Sequence, residues 1–334
     1  MGSRSLLSHR PARRFSGAGA GGADDARLRL VTWNLGYAGL GAEADFRAEG
    51  GRRLLPPSRR AVGRAIAQQT AFLAAEPFDV ALLQEAARRG PMTWWRDHLG
   101  ALDAALPEAE RWFLPDIATS APPAPLGLAH GAATYARAAP GAAPLEARAH
   151  PLPSDAKPLV ARVRRRFGAL EIRAPRPGAA RGAARAWRVF NLHLSAFDPE
   201  ARLRARQLER LLVIAEAAYA EGDAVILGGD FNLALADTAF PHDPASARAC
   251  LAWMRPFPQE RLKPGWRLIA DARIPSVRTV DQPYRPGVNM CAVIDGFIIA
   301  PNVAVERCEG VDLGFGPSDH QPVRATFRAQ RGGV

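Results

Sequence analysis

Short apolar runs recur along this chain, and several of them end in a polar cluster. Leu28–Leu35 is apolar and β-branched and reads as a first strand ending at Trp33-Asn34. A glycine-rich loop follows from Gly36 to Pro57. Ser58 then caps a predicted helix to about Ala75, with Val62, Ile66, Gln69 and Leu73 on one face and Pro77 beyond its end. Phe78–Gln84 is nearly all apolar, as in a strand buried on both faces, and it delivers Glu85 to its C-terminal end. Pro91–Leu106, which holds Trp94, Trp95 and Leu99, reads as helical. Residues 115–158 are rich in Pro, Ala and Gly, with weaker strands around Ala132–Arg137 and Leu145–Arg148, and Val160–Ile172 alternates like half of a hairpin. Trp187–Leu194 is a strand ending in Asn191-Leu192-His193. Asp198-Pro199 opens a helix to about Ala220, with Leu203, Gln207, Leu211, Ile214 and Ala218 on one side. Ala224–Leu227 is a buried strand running into Gly228-Gly229-Asp230, and Val293–Ala300 and Val323–Arg328 close the sheets.

Strands and helices thus alternate, with further strand pairs between them. That order predicts an α/β (α+β) fold whose sheets carry helices on their outer faces. Residues 27–330 show no internal repeat and no linker, so they are expected to form one domain. The chain has 334 residues, 48% of them hydrophobic, which supports a core of that size. Residues 1–26 are expected to be a disordered basic tail. Arg4, Arg10, Arg13 and Arg14 precede any acid, and Gly17 to Ala23 are all glycine and alanine. No apolar stretch suits a secretory core or a membrane span, and Leu6 stands where a myristoylation signal has Ser or Thr. The expectation is a cytoplasmic monomer without a transmembrane segment, the alternative being that the basic tail is an organellar transit peptide.

The formal net charge of +11 invites a polyanionic partner such as nucleic acid. Lys157 and Lys263 are the only lysines among 44 basic residues, however, and arginine bias beside abundant Ala, Gly and Pro also follows from GC-rich coding. Arg137 and the Arg162–Arg166 run are candidates for holding phosphate. Cys250, Cys291 and Cys308 form neither a close-spaced metal motif nor a disulfide framework and are expected to be buried free thiols in a reducing compartment.

The polar clusters come in one order: Asn34; Glu85; Asn191 and His193; Asp230 and Asn232; Asp295; and Ser318-Asp319-His320. Each alone is ambiguous. A strand-end glutamate is usually solvated, Gly-Gly-Asp-Phe-Asn can be a turn, and a lone histidine is more often a core residue. Together they offer hard oxygen donors and two imidazoles, with no phosphate-cradling glycine loop, serine elbow or cysteine ligand in competition. That is equipment for cleaving a phosphate ester. Mg²⁺, with Mn²⁺ as its substitute, suits carboxylate and amide oxygens and neutralises charge on phosphate. Glu85 is the leading ligand candidate, with Asn34 and Asp319 beside it. The general base is either His320 oriented by Asp295, or Asp230. His193 and Asn232 can donate hydrogen bonds to phosphate oxygens.

Taken in order, these segments resemble the endonuclease/exonuclease/phosphatase superfamily, metal-dependent phosphoesterases of the pancreatic deoxyribonuclease type, over about residues 28–328. The resemblance implies a four-layer sandwich of two packed mixed β-sheets flanked by helices. It implies Asn34 and Glu85 at the metal with Asp319 nearby, Asp230 and Asn232 at the scissile phosphate, and an Asp295–His320 pair activating water. Gly36-Tyr37-Ala38-Gly39-Leu40-Gly41, His193-Leu194-Ser195-Ala196-Phe197-Asp198 and Ala292-Val293-Ile294-Asp295-Gly296-Phe297-Ile298 are similar to a bacterial branch without assigned substrates. Asn191-Leu192-His193-Leu194 departs from the Asn-x-Tyr-x-Pro of the abasic-site repair branch. Gly36 stands where some members carry a carboxylate, which leaves one metal and two metals as open alternatives. The expected activity is hydrolysis of a phosphodiester in nucleic acid, a phospholipid or an organophosphate by in-line water attack. The alternatives are a phosphomonoesterase of the inositol-phosphatase type and a non-catalytic binding module on the same fold. The Gly36–Pro57 loop is expected to shape substrate choice through Tyr37, Phe46 and Arg52, or else to be pinned to the core by Phe46 and Leu54.

Overall fold

The computed structural model describes residues 7–9, 27–118, 129–137, 144–154, 167–176, 184–198 and 200–330. Their strands are β1 (Leu7–His9), β2 (Arg27–Asn34), β3 (Val80–Ala87), β4 (Glu110–Ala118), β5 (Ala129–Ala136), β6 (Glu146–Pro151), β7 (Gly168–Pro175), β8 (Ala186–His193), β9 (Ala224–Asp230), β10 (Arg267–Ile269), β11 (Val277–Arg278), β12 (Cys291–Ala292), β13 (Asp295–Ile299), β14 (Val303–Gly310) and β15 (Val323–Ala329). The α-helices are α1 (Arg59–Ala75), α2 (His98–Ala105), α3 (Arg202–Ala220) and α4 (Pro244–Leu251). A seven-stranded sheet in the order β1-β4-β5-β3-β2-β15-β14 packs on a six-stranded sheet in the order β10-β13-β9-β8-β7-β6. Strands β11 and β12 form a separate ribbon.

Both sheets are mixed. The pairs β2–β3 and β8–β9 run parallel, and the other pairings of these sheets are antiparallel. Each parallel pair is joined by a crossover holding a long helix, α1 in one sheet and α3 in the other. The alternation along β2 explains the layering. Leu28 and Leu30 join Leu82, Phe190 and Ile226 in the core between the sheets, whereas Val31 and Trp33 pack with Leu73 of α1 and Leu99 and Leu102 of α2. Helix α3 covers the second sheet through Leu203, Leu208, Leu211 and Ala215. The result is the expected four-layer sandwich.

Local chemistry agrees with most of the predicted boundaries. The Ser58 side chain caps α1 by accepting from Ala61 N at 3.1 Å. Strand β4 was not expected from the sequence, because Glu110, Arg111 and Asp116 interrupt its apolar run. Helix α3 starts four residues after Asp198, whose Oδ2 still accepts from Leu203 N at 2.6 Å. The expectation that residues 1–26 carry no strand fails at Leu7–His9, which pair with Phe113, Trp112 and Arg111 at the edge of the first sheet. An edge strand offers unpaired backbone groups that even a polar three-residue stretch can satisfy. The rest of 1–26 and the Arg162–Arg166 run lie outside the described residues.

Beneath the site, a buried polar layer fastens the two sheets. Gln84 Nε2 donates to Asn191 Oδ1 at 2.8 Å, and Asn191 Nδ2 donates to Ala133 O and to Thr134 Oγ1, each at 3.1 Å. Both residues are fully buried, so these bonds fix the relative position of the sheets.

Candidate active site

Register places the polar residues together. His193 on β8 pairs with Asp230 on β9, and Asp230 pairs with Asp295 on β13. In the facing sheet Asn34 pairs with Gln84, one residue before Glu85. The C-terminal ends of both parallel pairs therefore open on one cleft, the place where ligands bind in open α/β sheets. Its empty volume is about 760 Å³, and Asn34, Glu85, His193, Asp230, Asn232, Asp319 and His320 all line it. Asp295 lies behind His320, wholly buried.

One end of the cleft holds an acid–imidazole array. His320 Nδ1 lies 2.8 Å from Asp295 Oδ2, and His320 Nε2 lies 3.8 Å from Asp230 Oδ2. The imidazole is held by its backbone. His320 O accepts from Trp33 Nε1 at 2.9 Å, His320 N donates to Ser318 Oγ at 3.1 Å, and Ser318 Oγ donates to Asn34 O at 2.8 Å. Ser276 Oγ orients the partner by accepting from Asp295 N at 3.0 Å. Burial opposes charge on His320, but Asp295 and then Asp230 outweigh it and hold the imidazole pKa well above its usual range. Burial, reinforced by Asp295 across the strand pair, pushes the Asp230 carboxyl up to about 7.

The other end gathers amides and carboxylates. Asn34 Nδ2 donates to Asp230 Oδ2 at 3.0 Å, while Asn34 Oδ1 accepts from Gly36 N at 3.0 Å. Asn232 N donates to Asp230 Oδ1 at 2.8 Å, and its Nδ2 donates to Leu194 O at 2.9 Å. His193 Nε2 stands 3.5 Å from Asp230 Oδ2 and 3.9 Å from Glu85 Oε1. Glu85 lies within β3 rather than at its end. The register shifts between Leu83 and Ala86, and Glu85 has φ +52°, so a bulge re-aims its side chain. Asn232 also takes a positive φ, +50°. Burial raises the Asp319 pKa.

Two glycines are required by this packing. A Cβ on Gly36 (φ +51°) would lie 2.6 Å from Asp319 Oδ1 and 3.0 Å from Leu40 Cβ, so a side chain there would displace its neighbours. A Cβ on Gly229 (φ +150°) would lie 2.0 Å from Leu192 O.

The structure also brings in residues that sequence reasoning missed. Glu49 enters the cleft from the Gly36–Pro57 loop, its Oε2 accepting from Val280 N at 2.8 Å, and burial with Asp319 nearby pushes its carboxyl up to about 7. Arg278 is buried, and its Nη1 and Nη2 donate to Thr279 O and Gly41 O, each at 2.8 Å. Phe197 and Trp253 line the outer wall. None of them closes an apolar run, so only their spacing in the fold marks them. Of the loop residues singled out, Tyr37 and Phe46 line the cleft, whereas Leu54 is 67% exposed and pins nothing. Arg137 is committed elsewhere, to Glu108 and to carbonyl oxygens of Glu76 and Phe78.

The donor set suits a divalent cation. Glu85, Asp230, Asp319 and Glu49 line one cleft, Asp295 keeps its Oδ1 buried without a hydrogen-bond partner, and the carboxylates at positions 49, 230 and 319 are strained towards protonation by burial. Asp230, Asp295 and His320 also present ligand atoms within 4.8 Å of one another.

The model of the endonuclease/exonuclease/phosphatase family matches residues 31–320. The chain belongs to this family. No curated protein matches it by sequence. Solved structures share the family fold at low identity. An endonuclease/exonuclease/phosphatase from Beutenbergia cavernae is 19% identical, with 91% of this chain and 72% of that one covered and a TM-score of 0.56. TDP2 from C. elegans is 12% identical, with 91% and 75% covered and a TM-score of 0.55. The human nocturnin catalytic domain is 17% identical, with 98% of each covered and a TM-score of 0.50. Among the described residues of this family member, no helix is long and apolar enough to cross a membrane.

Proposed function

We propose that this family member is a Mg²⁺-dependent phosphoesterase, with Mn²⁺ as a substitute, that hydrolyses a phosphodiester by in-line attack of water. The observation that carries the reading is the Asp295–His320–Asp230 array opening on the same cleft as Glu85. Glu85, with Asp319 and Asn34 beside it, would hold the metal. A bound ion there neutralises charge developing on the phosphate oxygens. Asn34 has spent Nδ2 on Asp230 and one Oδ1 lone pair on Gly36 N, so positioning Asp230 is its second duty.

The residue chemistry divides the remaining work. His320, kept protonated by Asp295 and Asp230, donates to a phosphate oxygen. Asp230, whose carboxyl titrates near neutrality, takes the proton from the attacking water. His193 and the second Nδ2 hydrogen of Asn232 donate to the remaining phosphate oxygens. In this reading Asp230, Asp295 and His320 serve proton transfer, with His320 Nδ1 already bonded to Asp295 Oδ2 and Asp295 buried behind the imidazole. Residues 27–330 act as one unit, and residues 1–26 stand outside the catalytic machinery. The protein acts in a reducing, cytoplasmic setting, a reading that the free and partly buried thiols Cys291 and Cys308 fit.

Turnover of bis(p-nitrophenyl) phosphate with Mg²⁺, Mn²⁺ or chelator tests this. Activity should require metal, and Glu85→Gln should lose at least about 100-fold at low Mg²⁺, since it deletes the anionic ligand while keeping shape. Faster turnover of p-nitrophenyl phosphate would make the protein a monoesterase. Metal binding without turnover of either would make it a binding module.

A further inference from the structure

The cleft has two unlike walls. One is the polar array described above. The other is apolar and includes the Phe197–Trp253 pair, with Met254, Met290, Tyr37 and Phe46 also lining the cleft. Phe197 and Trp253 meet edge to face, their ring centroids 5.4 Å apart at 62°. Phe197 remains 49% exposed although it is a large apolar side chain, and its backbone is held at φ +57°. A bulky residue in that region is unusual in a chain free to relax.

Arg204 ties this wall to the reaction site. It is fully buried, and its guanidinium donates to the carbonyl oxygens of Asn232, Asp198 and Trp253. Its guanidinium carbon also lies 5.4 Å from the centre of the Trp253 ring. One side chain thus sets the aromatic pair against Asn232. Phe197 itself lies four residues beyond His193, on the segment that leaves β8.

We propose that this wall is a subsite for a flat aromatic group esterified to the phosphate, so that the substrate is a compact aryl-bearing phosphate ester rather than a polyanionic chain. The inference rests on the phosphoesterase reading. An edge-to-face pair with an open ring face takes a third ring in the same geometry, and thioethers such as Met254 and Met290 favour aromatic edges. The charge of the cleft also fits. Among the described residues lining it, Arg278 is the one arginine and there is no lysine, and both Nη atoms of Arg278 are spent on backbone carbonyls. The wall offers a second phosphate nothing and offers a ring a face.

The test measures binding of phenyl phosphate and methyl phosphate to the Mg²⁺-loaded full chain by calorimetry, beside turnover of bis(p-nitrophenyl) phosphate. Phenyl phosphate should bind at least about tenfold tighter than methyl phosphate. In Phe197→Ala and Trp253→Ala that ratio should fall towards one, with methyl phosphate binding reporting that each variant is folded. Phe197→Leu, which keeps apolar bulk without a ring, should retain only part of the preference. Equal affinities in the wild type, or a ratio untouched by all three variants, overturns the subsite. So does a single-stranded oligonucleotide that displaces phenyl phosphate at concentrations tenfold lower. Turnover with equal affinities leaves the phosphoesterase and removes the aromatic subsite. A phenyl preference without turnover keeps the subsite and removes the enzyme.

Discussion

Asn34 on the first sheet donates through Nδ2 to Asp230 Oδ2 on the second at 3.0 Å, so a single buried hydrogen bond joins the reacting ends of the two parallel strand pairs. The bond aims the Asp230 carboxylate, which also sits between His193 and His320. Asn34→Ala should therefore lower kcat by about 100-fold while the protein stays folded, in the range expected when a general base is misplaced. Asn34→Asp should be worse, since it sets a carboxylate against a carboxylate. Steady-state kinetics beside a melting curve separates the two effects. Loss of kcat and fold together would assign Asn34 a structural role.

The Asp295–His320 pair should behave as one unit. Asp295→Ala and His320→Ala are each expected to cost about 10² to 10⁴ in kcat, and the double variant should cost little more than the worse single one. Multiplicative losses would mean that the 2.8 Å bond between them serves no common step.

Asp230 predicts a pH effect with a definite sign. Its folded pKa, about 7, lies above the ordinary value of 3.8, so its contribution to stability is present below pH 3.8 and is lost as pH rises through 7. In metal-free protein, Asp230→Asn should therefore melt higher than wild type at pH 8, by roughly 5 °C, with the gap closing towards pH 4. Added Mg²⁺ should shrink the difference at pH 8. A carboxyl titration near pH 7 in isotope-edited infrared spectra, absent from Asp230→Asn, is the direct check.

His98 predicts the opposite slope, away from the site. It is fully buried in the first turn of α2, neither ring nitrogen has a hydrogen-bond partner, and burial lowers its pKa to about 4. The unfolded chain binds a proton near pH 6.5 that the folded chain refuses until about 4. Stability should fall across that window by up to about 3 kcal/mol. Urea unfolding at pH 7, 6 and 5 should show the slope, and His98→Phe should flatten it.

Much of this protein was legible in the chain because its strands announce themselves locally. Continuous apolar runs such as Val80–Leu83 and Ala224–Leu227 mark strands covered on both faces, and a polar residue tolerated at the end of such a run has a reason to be there. Ser58 and the 3.6-residue spacing of Val62, Gln69 and Leu73 located α1 within a residue. Where the run was broken, as in β4 with its arginine and acids, or too short, as at Leu7–His9, pattern alone was silent.

The sequence by itself determined the fold class, the order of the polar clusters and the identity of the eight residues expected to act. These follow from short-range periodicity and from residue chemistry, both written along the chain. The tertiary structure alone decided how they meet. It paired His193 with Asp230 and Asp230 with Asp295 through register, turned Glu85 inward at a bulge, and committed Asn34 to Asp230. It also brought Glu49, Phe197, Trp253 and Arg278 to the cleft from segments with no periodic signal, and set Arg204 of α3 at its edge. Such contacts depend on sheet twist, crossover connections and packing between residues distant in the chain, and no local pattern encodes those.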